Sequence, residues 1–152
     1  MFKKIAAISI FIFIFLAGGH CSAQHIEKEY YVNGQLRLQT EYNKRHEKQG
    51  IEKLYYDTGE LWSDTIYLKG RKDGPEKIYY KSGEMMRVRP YKRGVLDGVE
   101  VAYWENGELM EEMSYAEGLR DGTAKYYDMD GTVMEEQIWE GDQLKETKKV
   151  KK

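Results

Sequence analysis

The chain has 152 residues, 24 of them Lys or Arg and 26 Asp or Glu, with a formal net charge of −2 and one cysteine. A length of this order suits one domain, and the slightly acidic balance argues against nucleic acid as a ligand. A lone cysteine excludes an internal disulfide framework and a cysteine-based metal cluster.

Residues 1–23 read differently from the rest. Phe2-Lys3-Lys4 is a basic head, Ile5 to Ala17 is an apolar run interrupted only by Ser9, and Cys21-Ser22-Ala23 supplies small residues before Gln24. This is the pattern of a cleaved secretory signal peptide. Its apolar core is shorter than the ~18–20 residues that span a bilayer. The expected address is therefore exported, periplasmic or secreted. The alternative is an envelope lipoprotein anchored through Cys21, although Gly18 and His20 stand where a lipidation motif has an aliphatic and a small residue. Cleavage after Ala23 removes the cysteine and Lys3 and Lys4, which takes the net charge to −4.

From residue 29 onward the chain repeats. Gly34, Gly59, Gly83, Gly107 and Gly131 recur at intervals of 25, 24, 24 and 24 residues. Tyr30, Tyr55, Tyr79, Tyr103 and Tyr127 each stand four residues before a glycine, and Tyr42, Tyr67, Tyr91, Tyr115 and Trp139 eight after. Leu36, Leu61, Met85, Leu109 and Val133 follow two after. A period of this size marks an array of supersecondary units, here about 29–51, 52–74, 75–98, 99–122 and 123–144. Within the second unit, Lys53 to Tyr56 and Glu60 to Tyr67 are rich in strand formers. Asp57-Thr58-Gly59 separates them, and Lys69 to Gly74 closes the unit. Asn33-Gly34, Ser82-Gly83, Asn106-Gly107 and Asp130-Gly131 make the corresponding first turns. Asp73-Gly74, Asp97-Gly98 and Asp121-Gly122 are read as turns between units, because Asn-Gly and Asp-Gly accept the positive φ that two-residue hairpins require. The extra residue within Lys44 to Gly50 accounts for the 25-residue interval. The expectation is an all-β, extended, twisted antiparallel meander of about ten strands in five hairpin units. The competing architecture is a parallel β-helix with one coil per repeat. Each unit is too small to bury its own apolar face and must stack on its neighbours.

The pattern resembles the bacterial variant of the MORN repeat. The best matching stretches are Tyr55-Tyr56-Asp57-Thr58-Gly59-Glu60-Leu61 with Tyr67 to Gly74, and Tyr103-Trp104-Glu105-Asn106-Gly107-Glu108-Leu109 with Tyr115 to Gly122. Bacterial proteins of this kind are commonly labelled YwqK-type antitoxin components. The resemblance implies a MORN-like repeat domain over 24–144 and a binding, neutralising protein without catalysis.

Catalytic, cofactor and metal sites are not expected. Equivalent residues of successive units lie two strands apart, roughly 10 Å, so the rows Glu52, Glu76, Glu100 and Glu60, Glu84, Glu108 cannot each share one Ca²⁺. Both rows are read as solvated faces. His20, His25 and His46 lie outside the repeat cores, which argues against a Ser-His-Asp triad. The glycines fall at turns and cradle no phosphate. Met85, Met86, Met110, Met113, Met129 and Met134 are read as packing residues.

Charge is unevenly spread. Residues 99–144 carry two basic against thirteen acidic side chains, whereas 145–152 carry five lysines and Glu146. Such a field steers a basic partner onto the C-terminal half. Trp104, Glu111, Glu112, Trp139, Glu135 and Glu136 are the expected contacts for a protein partner. The tail 145–152 is expected to be disordered. It would either brush anionic headgroups, at about 1 kcal/mol per Lys near the surface, or fold back onto the acidic block. The functional expectation is a non-catalytic exported protein-binding module of antitoxin-like type. The alternative is an envelope- or membrane-surface scaffold for lipid headgroups or glycans.

Overall fold

A computed structural model describes residues 25–150. The segment read as a signal peptide, with Cys21 and its possible lipidation, lies outside the described residues. Twelve strands run in chain order: β1 (His25–Tyr30), β2 (Leu36–Tyr42), β3 (Gly50–Tyr55), β4 (Leu61–Leu68), β5 (Arg71–Tyr79), β6 (Met85–Lys92), β7 (Val95–Leu96), β8 (Gly98–Tyr103), β9 (Leu109–Ala116), β10 (Leu119–Tyr127), β11 (Val133–Glu140) and β12 (Gln143–Lys149). They form one antiparallel sheet in which each strand pairs with its chain neighbours, the short β7 pairing beside β6. The described chain is therefore an all-β meander of hairpins and has no parallel β-helix coil.

The two turns of each unit differ in kind. In the first, the Tyr56 N–H donates to the Glu60 carbonyl at 2.9 Å and the Gly59 N–H to the Tyr56 carbonyl at 3.0 Å. Gly59 has φ +105°, and the register slips by one beside Tyr55. This is a three-residue loop ending in a left-handed glycine bulge. The same bonds recur at Gly34, Gly83, Gly107 and Gly131, so positive φ falls on the glycine and not on the Asn, Ser or Asp before it. The second turn is Lys69-Gly70, Arg93-Gly94 or Glu117-Gly118, with positive φ at both residues, as a two-residue primed turn requires.

The turns assigned from sequence to Asp73-Gly74, Asp97-Gly98 and Asp121-Gly122 are thereby corrected. Gly74 and Gly122 lie inside β5 and β10, and Gly98 opens β8. Their φ values are +129°, +124° and +104°, and an added Cβ would come within 3.2 Å of Ile66, 3.2 Å of Pro90 and 3.0 Å of Ser114. Glycine is needed there for a distorted strand under a close neighbour, not for reversal. In the first unit the three-residue loop Lys44-Arg45-His46, with His46 at φ +61°, replaces the two-residue turn. That is the extra residue in the 25-residue interval.

The units are bolted together by repeated bonds. Tyr31, Tyr56 and Tyr80 hydroxyls donate to the carbonyls of Tyr55, Tyr79 and Tyr103 at 2.8, 2.9 and 2.8 Å. The N–H groups of Gly70, Gly94 and Gly118 donate to the carbonyls of Lys48, Lys72 and Leu96. Apolar burial is slight: among the described residues the buried hydrophobics are Ala102, in β8 beside the third unit, and Met113 and Ala124, paired across the junction of the fourth and fifth units. Met113 packs as expected, whereas Met129, in a turn, is 62% exposed.

The basic tail does not run free. Residues 143–149 form β12, which pairs with β11 and sets Lys149 opposite Glu135 and Lys148 opposite Glu136. Opposite charges directly across a ladder stabilise the pairing, and β12 satisfies the outer backbone edge of β11. Within the described residues, 145–149 of the segment expected to be disordered are thus a strand laid against the acidic β11.

Candidate binding surface

Alternation along each strand divides the sheet into two faces. One face carries Glu52, Thr65, Glu76, Glu100, Met113 and Ala124. The Glu52, Glu76 and Glu100 row read as solvated is in fact buried, at 8%, 9% and 5% exposure, whereas Glu60, Glu84 and Glu108 are exposed.

Burying a carboxylate is costly unless it is paired and hydrogen-bonded, and each of the three is. The Thr40 hydroxyl donates to Glu52 at 3.0 Å, and Lys48 is ion-paired with it. Thr65 donates to Glu76 at 3.4 Å and Lys72 at 2.6 Å. Glu100 has Leu96 where the other units have lysine, and instead pairs with Arg87 and, at 3.6 Å, with Arg89. Arg89 also reaches Glu76 at 3.5 Å. Lys48 and Lys72 also cover the ring row, 4.8 Å from the centroid of Tyr67 and 4.6 Å from that of Tyr91, and Arg120, paired with Asp142, lies 3.7 Å from that of Trp139. Burial, reinforced by the Glu52 charge, pushes the Tyr67 phenol up to about 12.

The six residues expected to bind a partner are not brought together. Glu111, Glu135 and Trp139 lie on this buried-carboxylate face. Glu112 and Glu136 lie on the opposite face, because adjacent strand residues point opposite ways. Glu112 accepts the Tyr127 hydroxyl at 2.5 Å, and Glu136 lies 3.9 Å from Lys125. Trp104 sits in a turn, at the place of the ladder tyrosines Tyr31, Tyr56 and Tyr80. Its buried Nε1 has no hydrogen-bond partner.

Tyr126 is the residue that sequence reasoning missed. It stands across the ladder from Glu111 on one side and Glu135 on the other. Burial first, then these two carboxylates, raise its phenol above the ordinary value. Gln137 donates to Glu135 at 2.6 Å and accepts from the Trp139 indole at 2.9 Å, which fixes that side. The result is an aromatic ring flanked by two carboxylates, with Trp139 beneath Arg120 at its edge. Glu111 already lies 3.6 Å from Arg87, and the group can take a further lysine or arginine at Glu135 and by contact with the ring. Period-two alternation applied to the Glu111-Glu112 and Glu135-Glu136 pairs, with Tyr126 between them, was the signal available in the sequence.

Among the described residues no group of three or more His, Cys, Asp or Glu is arranged to hold a metal ion. Residues 26–44, 48–69, 72–93 and 96–117 match the MORN repeat variant family. The fifth unit lies beyond these matches but has the same glycine turn at Gly131. No curated protein matches the chain.

Proposed function

The chain belongs to the MORN repeat variant family, whose repeats are in general non-catalytic binding modules, and we propose that it binds a basic protein partner through the face bearing Glu111, Tyr126 and Glu135. The observation that carries the reading is the ring of Tyr126 between two carboxylates in the part of the chain with thirteen acidic and two basic side chains. A preformed sheet needs no ordering on binding, so little of the interaction is lost to conformational entropy. We take the protein to act outside the cytoplasm, as residues 1–23 suggest, and to act by occupying its partner in the manner of an antitoxin. Scaffolding at an envelope or membrane surface is the competing role.

The test is a crosslinked pull-down from the cell envelope at low and high salt, followed by rebinding of the purified candidate. One protein that rebinds stoichiometrically, weakens with salt and is lost in Glu111→Lys/Glu135→Lys but kept in Glu112→Lys/Glu136→Lys supports the proposal. Equal loss in both double variants, or recovery of lipid or glycan alone, overturns it.

A further inference from the structure

The opposite face carries a row that crosses eight strands of the main ladder, β3 to β6 and β8 to β11. Lys53 pairs across to Asp64, Asp64 to Lys77 and Lys77 to Val88. Val88 then meets Val101, and beyond it follow Glu112, Lys125 and Glu136. Charges therefore alternate outward on both sides of one uncharged pair, and that pair lies at the β6–β8 junction, the middle of the sheet. Beside the row runs an apolar one, in which Ile51, Ile66, Val99 and Ile138 are 40%, 37%, 48% and 38% exposed.

We propose that a second copy of this chain packs on this face, related by a two-fold axis parallel to the strands and passing between Val88 and Val101. Such an axis keeps each row in place and reverses its order. Val88 then meets the other copy's Val101, Lys77 its Glu112, Asp64 its Lys125 and Lys53 its Glu136. In the neighbouring row Ile51 meets Ile138. Each of these six charges faces its opposite, Lys148 falls opposite Gln39, and the interface is isologous, as two-fold dimers require. Aligned sheets pack about 10 Å apart with a crossing angle near 30°, so the pairs nearest the axis keep their alignment best. The dimer supplies the second layer that a one-sheet domain lacks. It leaves the Glu111, Tyr126 and Glu135 surface outward on both copies, so it does not depend on the proposed function.

Sedimentation equilibrium of the purified chain tests the pairing. The chain is expected to be dimeric at high micromolar concentration. Lys77→Glu alone sets Glu against Glu112, and Glu112→Lys alone sets Lys against Lys77, so each variant is expected to be monomeric with an unchanged far-ultraviolet dichroism spectrum. Mixed in equal amounts they restore both contacts, and a heterodimer is expected. A monomeric parent chain, dimeric single variants, or a mixture that stays monomeric overturns the proposal. If either variant fails to fold, Lys53→Glu with Glu136→Lys poses the same question at the outer pair.

Discussion

At the scale of single residues, the ionisable side chains do the work that apolar ones do in a thicker domain. Glu52, Glu76 and Glu100 are buried among Thr hydroxyls, lysines and arginines, and burial with the Glu52 charge holds Tyr67 neutral beside them. Tyr79 and Tyr127 are each pushed up to about 12, first by burial and then by donating to Asp64 and Glu112. Together with Tyr67 they bind their protons more tightly in the folded chain than in the unfolded one, where phenols titrate near 10. The stability linked to them is therefore complete below about pH 10 and is lost as pH rises through about 12. Urea midpoints followed against pH should fall across that window, and phenolate absorbance should show a late-titrating class. Asp64→Asn should move Tyr79 out of that class. A single titration step near pH 10 for all tyrosines would contradict this account.

At the scale of the hairpin, each unit uses one three-residue and one two-residue turn, and it joins the next through a tyrosine hydroxyl. The ladder stops at Trp104. An indole there buries an N–H that finds no acceptor, and an unsatisfied buried donor costs about 1–3 kcal/mol. Trp104→Tyr restores the residue that donates to the following unit in Tyr31, Tyr56 and Tyr80. It should raise stability by about 1 kcal/mol, read as a higher thermal midpoint. Trp104→Phe, which removes the donor without supplying the new bond, separates relief of the orphaned group from completion of the ladder. A lower midpoint for Trp104→Tyr would show that the indole's packing outweighs its unpaired N–H.

At the scale of the whole chain, pairing is between neighbours in sequence throughout, so stability is a sum of unit and junction terms. Among the described residues, β1 and β12 are the end strands of the sheet. Native-state hydrogen exchange should find the amides of β4 to β10 slowest and those of β1 and β12 fastest, with no single global opening. Uniform protection along the chain would instead indicate one cooperative block.

The sequence by itself determined the period of the units, their all-β hairpin character and the family, although it pointed to about ten strands where the described chain has twelve. A repeated glycine and tyrosine register is a local signal, and each hairpin is closed by residues close together in the chain. It also placed the one-residue insertion near Lys44. What it left open was which glycine turns the chain and which face each side chain takes. Gly70 and Gly74 look alike in a string, and only the strand register separates a turn from a distorted strand. Glu111 and Glu112 look like one acidic patch, and only alternation on a formed sheet sends them to opposite faces. The burial of Glu52, Glu76 and Glu100, and the pairing of the lysine tail with the last full hairpin, needed the tertiary structure. Both depend on cations and strands that the sheet brings alongside from neighbouring units.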